Sequence, residues 1–225
     1  MKIIILIILL VFLGKNSFLL SQEEIEYTSF EHRALFLKVK YPTEWKNYWF
    51  YDGYNEKNIS DMSFNEIKEM VIHYGYYPIL YIRKYVERYN GVNPSIRISL
   101  LPQIIDYSYR DLLLALYNFE YKNIILYSET IYRRIEVITT ILLKGRTITQ
   151  EINIQYIGNK PFLHFKTEDY VLDSNIVNDN FYRITEYYLF IEDNYIMVIE
   201  TNYGRTININ DYIELNEIIN NIRLE

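Results

Sequence analysis

The chain has 225 residues, half of them hydrophobic, with 23 lysines and arginines against 29 aspartates and glutamates and a net charge of −6. That length and apolar content support a sizeable core and exclude a disordered chain, while the acidic balance argues against a nucleic-acid partner. The absence of cysteine excludes a disulfide framework, a lipid-modified cysteine, thiolate metal sites and a cysteine nucleophile.

Lys2 precedes Ile3–Leu13, an apolar run of eleven residues that Gly14, Lys15 and Asn16 interrupt. Such a run is shorter than the roughly 20 apolar residues a spanning helix needs, but it suits a signal-peptide core. The expected organisation is a signal peptide over 1–21, cleaved near Ser17 or Ser21, a lead-in over 22–34 and a single domain over 35–225. The expected location is periplasmic or extracellular, with no membrane span in the mature chain; retention by an uncleaved anchor is the alternative.

The first strand is expected at the start of the domain. In Phe36–Trp45, FLKVKYPTEW, Leu37 and Val39 alternate with Lys38 and Lys40, and Leu35 extends the apolar face. A period of two marks a half-buried strand. Pro42 lacks the N–H that a ladder needs, so the strand should end there as an edge strand. Trp45 is placed to fold back over that end and seek an acceptor for its indole N–H.

Tyr48–Asp61 reads as a strand fragment or turn followed by a loop. Ser63 and Glu66 then form a capping box, and Phe64, Ile67, Met70, Val71 and Tyr74 recur at helical spacing up to Gly75. The element from Pro78 fits either a helix or a strand, whereas Ile96, Ile98 and Leu100 alternate with Arg97 and Ser99 as a strand. Ser108 caps a further expected helix with Leu112, Leu113, Leu116 and Phe119 inside.

Strands are expected over Ile124–Tyr127, Ile135–Leu143 and Ile148–Tyr156, the last with Ile148, Ile152, Ile154 and Tyr156 inward and one wet face. Gly158–Pro161 turns the chain into Phe162–Phe165, and Lys166–Asn180 reads as a flexible loop. Tyr182–Ile191 and Tyr195–Thr201 form a tight hairpin, apolar on nearly every residue and so expected at the centre of the sheet. A closing helix starting at Asp211 buries Leu215, Ile218, Ile219 and Ile222.

The opening FLKVKYPTEW, the strand NPSIRIS, the meander, the hairpin and the last helix ending NNIRLE resemble the PsbP-like family. That family is named for an extrinsic subunit of photosystem II and is also found as small exported bacterial proteins. The resemblance implies an α+β fold, an antiparallel β-sheet flanked by helices as an α/β/α sandwich, and an accessory or assembly role. It carries no catalytic motif across.

Residue chemistry points the same way. His32, His73 and His164 stand apart without zinc-ligand spacing, and His164, inside FLHF, reads as a structural histidine. There is no phosphate-binding loop and no nucleophile elbow. The pairs Asp52 with Glu56 and Glu192 with Asp193 fall in turns, and Arg83-Lys84 and Arg133-Arg134 read as solvated faces. The aromatic cluster around Trp49, Tyr51 and Tyr54 is the candidate binding patch, with packing in a tyrosine-rich chain as its ordinary explanation.

The expected function is a non-catalytic binding or assembly module at the cell envelope, with a protein or envelope component as partner and no cofactor or metal. The alternative is a carboxylate-based hydrolase or a glycan-binding protein.

Overall fold

The computed structural model describes residues 25–48, 59–74, 77–86, 91–102, 147–149, 153–170, 182–192 and 195–225. In chain order these form β1 (Tyr27–His32), a 3-10 turn (Arg33–Leu35), β2 (Leu37–Pro42), β3 (Lys46–Asn47) and α1 (Phe64–Tyr74). They continue as β4 (Tyr77–Arg83), β5 (Ser95–Pro102), β6 (Thr147–Ile148), β7 (Asn153–Ile157) and β8 (Lys160–Tyr170). The last elements are β9 (Tyr182–Glu192), β10 (Tyr195–Gly204), α2 (Ile209–Asn220) and β11 (Arg223–Leu224). The described chain is a mostly antiparallel α+β fold. The signal segment, the expected helix at Ser108–Phe119 and the strands over 124–143 lie outside the described residues.

β2 follows its sequence pattern: Leu37 and Val39 are fully buried, Lys38 and Lys40 are exposed, and Pro42 ends it. It is not an edge strand. β1, which occupies the expected lead-in, pairs along one side of it and β11 along the other, giving a three-stranded sheet. The polar-looking lead-in is a strand because Phe30 and His32 alone need to face inward.

The larger sheet runs β3-β4-β5-β10-β9-β8-β6, with β7 also on β8. The segment after Pro78 is strand β4, since Ile79, Leu80 and Ile82 are buried in a ladder with β5. β9 and β10 sit centrally, with Tyr195 opposite Glu192, and residues 187–190 and 196–199 are buried whichever way they point. β8 continues through Tyr170, so its second half replaces the start of the expected loop; Thr167 and Glu168 have ladder partners on both β6 and β9.

One face of this sheet, with Leu80, Ile98, Leu100, Tyr188, Met197 and Ile199, shares a core with the small sheet and with Ile67 of α1 and Leu215, Ile218 and Ile219 of α2. The opposite face carries Leu163, Phe165, Tyr187, Leu189, Ile196 and Val198, which are also buried.

The caps differ in how closely they match expectation. Ser63 and Glu66 form the capping box, with the Ser63 N–H donating to Glu66 at 2.7 Å and the Glu66 N–H to Ser63 Oγ at 3.4 Å. α2 begins two residues ahead of Asp211, capped by Asn208, whose side chain accepts from the Asn210 N–H at 2.9 Å. The expected 148–156 strand is described only as β6 and β7, and in β7 the residues expected inward are exposed. Ile154 and Tyr156 are 46% and 66% exposed, while Ile157 is buried.

Candidate functional site

Glu186 interrupts the apolar run of β9 and is buried. Cross-strand register sets Lys166 opposite Glu186 and His164 opposite Tyr188. One carboxylate oxygen accepts from Tyr203 Oη at 2.5 Å and faces Lys166 Nζ at 2.9 Å. The other lies 3.0 Å from His164 Nε2 and accepts from Tyr188 Oη at 3.1 Å. The second ring nitrogen of His164 meets the Asn153 side-chain amide of β7 at 3.3 Å.

Burial would raise the pKa of Glu186. Hydrogen bonds from His164, Tyr203 and Lys166, reinforced by the lysine charge, outweigh it and hold the group at about 2. Burial and the same carboxylate push the Tyr188 and Tyr203 phenols above their ordinary range. The carboxylate is therefore a fixed anion at neutral pH, with two donors on each oxygen. This hub ties β8, β9 and β10 together.

A second network joins the end of β4 to α2. Lys84 Nζ lies 2.7 Å from Glu214, 2.9 Å from Asp211 and 3.3 Å from Glu44, with its side chain only 11% exposed. Tyr85 Oη donates to Asp211 at 2.8 Å and Trp45 Nε1 to Glu214 at 3.0 Å. Burial disfavours the ammonium, but the hydrogen bonds and charges of Glu214 and Asp211 more than reverse it and raise the Lys84 pKa above its ordinary value. The reading of Arg83-Lys84 as a solvated face is thus corrected. Lys84 is drawn inward by acids from two distant segments, and the Arg83 guanidinium lies over the Tyr48 ring at 3.3 Å.

No protein-family model matches the chain, and no curated protein matches it. Solved structures do. Cyanobacterial PsbP (CyanoP) from Synechocystis sp. PCC 6803 is similar with a TM-score of 0.46 and 11% identity, over 91% of this chain and 96% of that one. LpqN, involved in cell envelope biogenesis of Mycobacterium tuberculosis, is similar with a TM-score of 0.41 and 10% identity, over 89% of this chain and 91% of that one. A crystal structure from Bacteroides thetaiotaomicron VPI-5482 gives 0.38 and 9% over 84% of this chain, which spans 45% of that chain's length.

Trp49, Tyr51 and Tyr54, the candidate patch, lie outside the described residues, as do Asp52, Glu56 and Asp193. Their neighbour Tyr48 is half-buried, its hydroxyl donating to the Val86 carbonyl at 3.4 Å. His164 is the structural histidine expected, but its partners were not foreseen. The available signal was Glu186 itself, an acid inside a central apolar strand, which demands buried donors. Among the described residues no group of histidines and acids is arranged to hold a metal ion, and no helix is long and apolar enough to cross a membrane.

Proposed function

We propose that this protein is a non-catalytic binding or assembly module that acts at the cell envelope after export. The observation that carries this reading is the saturation of the buried and partly buried acids among the described residues. Glu186 accepts from a histidine, a lysine and two tyrosines, Glu200 pairs with Arg97, and Asp211 and Glu214 share Lys84. A general base needs a free lone pair and a pKa near the working pH. Glu186, held at about 2, offers neither, and both nitrogens of its neighbour His164 are engaged. The charged side chains spend their chemistry on rigidity, which suits a scaffold that presents a surface.

Export is supported by Lys2 and the Ile3–Leu13 run. The test combines cell fractionation with mass spectrometry of the mature N-terminus, followed by cross-linking in envelope extract. Envelope or extracellular recovery of a chain beginning between Ser17 and Gln22, cross-linked to an envelope component, is the expected result. An intact Met1 in the cytoplasm overturns the reading, as does turnover that Glu186→Gln abolishes without unfolding the protein.

A further inference from the structure

Phe36 follows the 3-10 turn with φ 51° and ψ 29°, a left-handed backbone that strongly favours glycine. The residue is nevertheless 64% exposed. A large aromatic side chain is thus held in solvent on a disfavoured backbone. That geometry is locked from both sides, since the Phe36 N–H donates to the Arg33 carbonyl at 3.1 Å and its carbonyl accepts from the Glu225 N–H at 3.0 Å.

Beside it opens a cleft of about 350 Å³, at the small end of ligand pockets. Glu31, Arg33, Lys38 and Glu225 line it, two acids and two cations, all exposed. Glu31 and Lys38 are direct cross-strand partners, yet none of the four side chains forms an ion pair or hydrogen bond among the described residues. His32 also lies in the wall and is fully buried.

We infer that this cleft is a saccharide site, taking an uncharged sugar ring against Phe36 with its hydroxyls held by Arg33, Lys38, Glu31 and Glu225. A sugar ring has an apolar face that stacks on an aromatic ring, and its hydroxyls both donate and accept. The two cations supply only donors and the two carboxylates only acceptors, so the mixed set matches vicinal hydroxyls. An anion such as phosphate would meet two carboxylates at once and gain little.

This inference rests on the binding-module reading and names its ligand class. The full-length mature protein would be applied to a printed array of neutral oligosaccharides, with inorganic phosphate and a hexuronate oligomer as charged controls. The best saccharide would then be titrated calorimetrically. Saturable binding to a neutral saccharide is expected, weakened by about tenfold or more in Phe36→Gly and in Arg33→Ser and retained in Phe36→Trp. Phe36→Gly should meanwhile leave the thermal midpoint unchanged or raised, since glycine relieves the backbone. Failure to bind any neutral saccharide, binding to the charged controls alone, or an unchanged Kd in Phe36→Gly and Arg33→Ser overturns the site. Fractionation reads location independently, so an exported protein silent on the array fails here alone.

Discussion

Trp45 Nε1 donates to Glu214 at 3.0 Å, joining the turn after β2 to the first half of α2 across 169 residues of chain. The ring is 1% exposed, so the indole serves both as core filling and as a donor to a partly buried acid. Trp45→Phe keeps most of the volume and removes only the donor. The expected loss is about 1–2 kcal/mol in denaturant unfolding, against about 3–5 kcal/mol for Trp45→Ala, which also opens a cavity. Equal losses in the two variants would mean that the bond, not the packing, dominates.

Lys84 is the charge on which that corner depends. Lys84→Met would leave Asp211 and Glu214 facing each other without a cation, Asp211 having only 5% of its side chain exposed. Breaking a buried pair from one side costs about 3–5 kcal/mol. Adding Asp211→Asn should restore part of that loss. A double variant that is less stable than Lys84→Met by the full Asp211→Asn penalty would show that the two side chains do not interact.

Acidification should act in two stages. Burial holds the His32 imidazole below its ordinary pKa of 6.5. The unfolded chain therefore binds a proton at higher pH than the folded one, and stability declines from about pH 6.5 down to the folded-state pKa. Glu186 acts lower. Its stabilisation is complete above its unfolded value of 4.5 and is lost as the pH falls towards about 2, a change of roughly 3 kcal/mol. Thermal midpoints across pH should show the first decline abolished in His32→Leu and the second in Glu186→Gln, the latter from a lower plateau. A first decline that persists in His32→Leu would assign it to another group.

The exposed residues of β7 distinguish the observed strand from its sequence pattern. Ile154→Thr and Tyr156→Ser should each change stability by less than about 0.5 kcal/mol, as surface substitutions do. Inward-facing side chains, the arrangement that alternation alone suggests, would cost roughly 2–5 kcal/mol on truncation. Chemical denaturation separates these outcomes directly.

Trp49 and Tyr51 belong, with Tyr54, to the candidate binding patch that the sequence suggests, outside the described residues. The double change Trp49→Ala with Tyr51→Ala should abolish cross-linking to the envelope partner and leave the thermal midpoint almost unchanged. A collapsed midpoint would place those rings in the core and remove the patch from consideration.

The sequence by itself determined the local features. The two-residue period of Leu37 and Val39, the stop at Pro42, the Ser63–Glu66 cap and the doubly apolar hairpin of β9 and β10 all depend on neighbours within a few residues. Their backbone hydrogen bonds, rotamers and turn geometry are short-range, so pattern reports them. Only the tertiary structure decided which face of β7 meets water, that β1 and β11 flank β2, and that Lys84 turns inward. The same holds for Glu186, whose donors come from β8, β9 and β10. A buried charge states that it needs partners, but loop closure over long separations leaves their identity open until the sheet order is set. Phe36 is the sharpest case, because a phenylalanine in sequence carries no sign of the left-handed backbone that the 3-10 turn and Glu225 impose on it.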